Sequence, residues 1–94
     1  MAHGALLHEP GDAVAVVVND VSKGERVRVV TLAGEEQPEV SAIEDIPLGH
    51  KIAVSAVDEG ADVIKYGRAI GRASKRIEVG AHVHTQNVKS KRWA

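Results

Sequence analysis

The chain has 94 residues and a mass of 10.0 kDa, enough for one small domain. Its 12 Lys and Arg against 13 Asp and Glu leave a formal net charge of −1, which excludes a strongly basic nucleic-acid binder. The absence of cysteine excludes a disulfide framework, a cysteine zinc site, an iron–sulfur cluster and a thiol nucleophile.

The N-terminal run Met1 to Glu9 has neither the basic stretch nor the long apolar stretch of a signal peptide. The longest apolar run, Ala13 to Val18, falls far short of the roughly 20 residues a membrane helix needs. A soluble cytoplasmic chain with no membrane partner is expected. With one Tyr, one Trp and no Phe, 15 Val and 13 Ala must build the core. A core of that kind is marginal for a free-standing domain, which suggests a β-rich module that leans on a partner.

In chain order, Ala5 to His8 is a candidate first strand, and Glu9-Pro10-Gly11-Asp12 reads as a turn. Ala13 to Val18 is the strongest strand, its unbroken Val/Ala run predicting burial on both faces. Val27 to Leu32 is a second clear strand. Ala33 to Pro38 reads as a polar loop and Glu39 to Ile43 as a weak strand. Lys51 to Ala56, Val63 to Tyr66, Ala69 to Ser74 and His82 to Val88 complete the set. No helical periodicity extends over ten residues, so helices are at most single turns. Short strands at this spacing predict an all-β small barrel or clip. The domain is expected to occupy residues 1–88, with 89–94 a basic, Trp-containing tail.

An aliphatic residue, two variable positions, Gly, two more variable positions and a second aliphatic residue occur four times. The copies are Val21–Gly24–Val27, Ile46–Gly49–Ile52, Val57–Gly60–Val63 and Ile77–Gly80–Val83. Each Gly sits where the chain must reverse, and only Gly enters the left-handed region without strain. The spacing between copies is irregular, so this is a recurring turn device and not a solenoid repeat.

Three segments carry residues suited to chemistry. His50 and Lys51 follow a turn glycine, where side chains project from a rigid base; they are either a ligand contact or an exposed loop pair. His82 and His84 lie two apart, so in a strand they share one face. That pair can ligate a metal with a third group or orient an anion, but no third ligand stands at a diagnostic spacing. Asn87 follows closely and can add an amide contact. Lys65 and Tyr66, in a glycine-flanked cationic stretch, read as a tight hairpin and not a phosphate loop. At the C-terminus, Arg92 and Trp93 have the composition of an interface anchor, which points to a protein partner and not nucleic acid. Nothing amounts to a complete catalytic constellation.

Ile46-Pro47-Leu48-Gly49-His50-Lys51-Ile52-Ala53, Val63-Ile64-Lys65-Tyr66-Gly67 with Ile70-Gly71, and Gly80-x-His82-Val83-His84-Thr85-x-Asn87 follow in that order. Together they resemble the SAF domain of the altronate dehydratase family, over about Leu6 to Trp93. That family includes galactarate and altronate dehydratases and the two-subunit sulfolactate sulfo-lyase. The resemblance implies a β-clip fold and a metal-dependent elimination from an anionic hydroxy acid. It also implies a divalent metal (iron, manganese or magnesium) held mainly by a large catalytic subunit, with no metal assigned to this chain.

Carried over by motif, His50, His82 and His84 are the expected catalytic residues. Lys51, Lys65, Tyr66 and Asn87 are the expected substrate contacts, while Arg92 and Trp93 are expected partner contacts from composition and position alone. The Val run and the Lys-Ser-Lys-Arg-Trp ending look more like the small subunit of the sulfolactate sulfo-lyase, which releases sulfite and pyruvate. Alternatives are the small subunit of an altronate/galactarate-type sugar-acid dehydratase, a sugar-acid-binding SAF module without chemistry, and a subunit serving assembly alone.

Overall fold

A computed structural model describes residues 4–65, 67–84 and 87–90 of the chain, the side chains of 89 and 90 excepted. The described residues are all strand, turn and bend, as the sequence predicts. None forms a helix long and apolar enough to cross a membrane. The strands are β1 (Ala5–Leu7), β2 (Val14–Val17), β3 (Arg26–Thr31), β4 (Glu36–Ser41), β5 (Lys51–Ala53), β6 (Asp62–Lys65), β7 (Arg68–Ala73), β8 (His82–Val83) and β9 (Val88–Ser90). One sheet has the order β4-β3-β1-β2-β5-β8 and the other β6-β7-β9. All pairs are antiparallel except β1 with β3.

The core is split in two, and β2 and β5 are the partition. Ala15, Val17 and Ile52 pack with Leu7, Val27, Val29 and Ile46 on one side. Val14 and Ala53 pack with Val63, Ile77 and Val83 on the other. Successive residues of a strand point to opposite faces, so a strand serving two cores reads as an unbroken apolar run. Val18, the last residue of the run, is exposed.

The four glycine turns pair off. Val21 and Ile46 exchange backbone hydrogen bonds, as do Val57 and Ile77. Turn one thus meets turn two, and turn three meets turn four, each pair clamping one half-core. All four glycines have positive φ, at 91°, 86°, 85° and 91°. The first turn also closes as expected: Asp12 N–H donates to Glu9 C=O at 3.1 Å.

Three strand readings need correction. The predicted 33–38 loop is shorter, because β4 begins at Glu36 and runs through Pro38. β4 is an edge strand whose register with β3 shifts between Val27 and Val29, and an edge bulge tolerates the missing N–H. The predicted 82–88 strand is two strands, β8 and β9, in different sheets. Asn87 causes the break: its Oδ1 accepts from His84 N–H at 3.0 Å and its Nδ2 donates to His82 C=O at 2.8 Å. An asparagine side chain replaces ladder partners in this way and favours a turn. The predicted 51–56 strand is shorter too, ending at Ala53. β9 pairs with β7 through Ser90, two residues beyond the expected boundary at 88.

Candidate functional site

The site grows from the β5–β8 ladder. Ile52 lies opposite His82 and Lys51 opposite Val83. Extending that antiparallel register by one residue sets His50 opposite His84. His50, Ile52, His82 and His84 then share one face, while Lys51, Ala53 and Val83 share the other. Ile52 is fully buried and forms the floor.

Backbone contacts fix both ends of the ladder. The Gly49 N–H donates to Val17 C=O at 3.0 Å, and Val17 N–H donates to His50 C=O at 2.9 Å. Asp20 Oδ1 accepts from Leu48 N–H at 2.8 Å. On the β8 side, Glu44 Oε2 accepts from His82 N–H at 3.0 Å.

The three rings meet at this face. His50 Nδ1 and His82 Nε2 are 2.8 Å apart and share a hydrogen bond. Ring centroids of His50 and His84 are 4.4 Å apart, and those of His82 and His84 lie 5.8 Å apart and stacked. His50 and His82 are half-buried and His84 is exposed. A shared hydrogen bond needs one donor and one acceptor, so the His50–His82 pair carries at most one positive charge. Burial first, then the neighbouring His50 and His84, push the His82 pKa below the ordinary 6.5, with Glu44 opposing. His82 is therefore neutral near pH 7, a state that accepts a proton or ligates a cation.

Each of these histidines can offer one ring nitrogen within 4.8 Å of the other two. An all-imidazole set suits zinc, iron, nickel or copper and not magnesium or calcium. The donor set thus fits the transition-metal members of the implied divalent class.

A second polar cluster lies where the β1–β2 turn meets the β6–β7 hairpin. Lys65 and Asp12 are buried. Lys65 Nζ stands 3.0 Å from His8 Nδ1, and Asp12 Oδ1 accepts from Gly67 N–H at 3.0 Å. An ammonium only donates, so His8 Nδ1 accepts and the ring is neutral. Lys65 is thus held in a cluster with His8, outside the histidine trio. Lys51 is turned away from the trio by strand alternation. Asn87 is buried, with both amide atoms bonded to backbone, and so acts as a positioning residue for the His82–His84 segment. Tyr66, Arg92 and Trp93 lie outside the described residues.

The profile of the altronate/galactarate dehydratase SAF domain matches residues 3–91. The chain belongs to this family. The SAF domain is 38% identical over 89 residues to the (2R)-sulfolactate sulfo-lyase subunit alpha of Chromohalobacter salexigens, covering 94% of this chain and 95% of that protein. It is 52% identical over 54 residues to the subunit of the same name from Paracoccus pantotrophus, covering 57% of this chain and 81% of that protein. The altronate dehydratase of Bacillus subtilis is 37% identical over 79 residues, covering 84% of this chain but 15% of that protein.

The His8 cluster is expected to make the SAF domain less stable in acid. Burial first, then Lys65, lower the His8 pKa from 6.5, while Asp12 and Glu9 pull the other way. A histidine depressed in the folded state takes up its proton in the unfolded state first. Its contribution is therefore present above about pH 6.5 and is lost as pH falls through the folded value. The melting temperature is expected to drop below about pH 6.5, and His8→Gln to flatten that slope. An unchanged slope in His8→Gln would remove His8 from the account.

Proposed function

We propose that the chain is the small subunit of a two-subunit lyase that acts on (2R)-sulfolactate and is inactive without its large subunit. The observation that carries this reading is the match along 95% of a relative named as a sulfo-lyase subunit alpha. Altronate dehydratases share similar identity, but over 15% of their length.

The reaction removes the proton from C2 of sulfolactate and forms the C2=C3 bond. The C3–S bond breaks with its electron pair leaving on sulfite, and the enol product becomes pyruvate. The large subunit closes over the face that carries His50, His82 and His84. These imidazoles meet the substrate's carboxylate and hydroxyl oxygens, where hydrogen-bond donors and a held proton stabilise developing charge. A divalent metal held by His50, His82 and His84 would supply Lewis-acid polarisation of those oxygens.

The test is a substrate panel on the complex formed by co-expression with a large subunit of this family. Sulfite release from sulfolactate, in excess over dehydration of altronate and galactarate, is the expected result. Dehydration of a sugar acid without sulfite release would reassign the chain to the hydro-lyases.

A further inference from the structure

We propose that His50, His82 and His84 form a transition-metal site that this chain fills by itself. The inference deepens the reading above, and it stands whether the substrate is sulfolactate or a sugar acid.

Three observations carry it. First, the ligands are His82 on β8 and the residues that immediately flank the β5–β8 ladder, His50 before β5 and His84 after β8, all within one chain, so no partner is needed to assemble them. Second, the separations are close to what a metal requires. Metal–nitrogen bonds of about 2.0–2.1 Å set neighbouring ligand nitrogens about 2.9–3.4 Å apart in octahedral or tetrahedral geometry. The His50 and His82 nitrogens are already 2.8 Å apart, and the whole set lies within 4.8 Å. The remaining closure falls to His84, whose ring is exposed. Third, the set keeps an open side. With His84 exposed and three protein ligands, coordination positions remain for water or an anionic substrate, the pattern of catalytic and not structural sites.

Support around the ligands is in place. Asn87 ties the backbone of His82 to that of His84 through both ends of its amide. Glu44 holds the His82 backbone N–H and places a carboxylate beside the cluster. A carboxylate near ligating imidazoles raises their basicity and favours the bound cation.

The experiment uses the full chain without a polyhistidine tag, stripped with chelator. Zn²⁺ is titrated by calorimetry, and imidazole ¹⁵N shifts are followed by NMR. The expected result is one Zn²⁺ per chain, with His50, His82 and His84 nitrogens shifting and His8 unmoved. Co²⁺ should give visible d–d absorption, and Mg²⁺ should not compete. His84→Ala, at an exposed position with little bearing on folding, should weaken binding at least about 100-fold, beyond the 10–100-fold cost of losing a supporting residue. Absence of zinc binding, shifts confined to other histidines, or full affinity in His84→Ala would overturn the proposal. Sulfite release by the complex is a separate readout, so a wrong substrate and a wrong metal site give different failures.

Discussion

Gly80→Ala is expected to lower the melting temperature by at least about 12 °C, corresponding to a loss of about 3 kcal/mol or more in a domain of this size. Two effects add. Gly80 has a φ of 91°, where an L-residue is strained by roughly 1–2 kcal/mol. A Cβ built there would also stand 2.0 Å from the carbonyl oxygen of Ser41. That neighbour is backbone and cannot swing aside. Gly80 is held in place by its own N–H to Ala53 C=O at 2.8 Å and by Ile43 N–H to its C=O at 3.0 Å. The strand that follows carries His82, so the damage reaches the site.

Gly49→Ala is the control. Its φ is 86°, but a Cβ there meets nothing within 4 Å. Only the backbone strain remains, so the loss should be less than about 2 kcal/mol. Thermal melts of the two variants check this; equal losses would contradict the close approach at Gly80.

His50→Ala should lower turnover of the assembled enzyme at least about tenfold, a modest figure beside the 10²–10⁴ typical of proton-transfer groups. The substitution removes one ring of the trio and leaves the His82 nitrogen without its 2.8 Å partner. His50 is half-buried at a turn, so the fold and the complex should survive. Lys51→Ala is the comparison. It lies on the other face of the ladder and should cost turnover less than His50→Ala. Steady-state kinetics on complexes of verified stoichiometry decide it. An unchanged turnover in His50→Ala, with the complex intact, would remove His50 from the chemistry.

Some of this was legible in the residues. Period-two alternation alone puts His82 and His84 on one face, and the Val/Ala run from Ala13 announces a strand buried on both sides. Glycines 24, 49, 60 and 80 mark the turns because their positions demand positive φ. Spacing alone did not mark His50 as the third partner, and only the motif resemblance grouped it with His82 and His84. His50 is 32 residues from His82, and only the β5–β8 register brings them together. That register is set by which turns clamp which half-core, a pairing that local pattern does not encode. Lys65 and His8 were hidden for the same reason. Lys65 reads as part of a tight hairpin, but nothing local shows that the β6–β7 hairpin packs it beside a histidine 57 residues away. Asn87 read as a substrate contact, whereas its amide is engaged with the backbone of the turn it creates.

Reconstitution is the most direct test of the proposed role. Purified large subunit is mixed with increasing amounts of this chain, and sulfite release from (2R)-sulfolactate is measured. Activity should be near zero without the chain and rise to a plateau at a fixed ratio of the two. The His50→Ala chain should reach the same binding plateau with at least about tenfold less sulfite. Full sulfite release by the large subunit alone would contradict the assignment of catalytic groups to this chain.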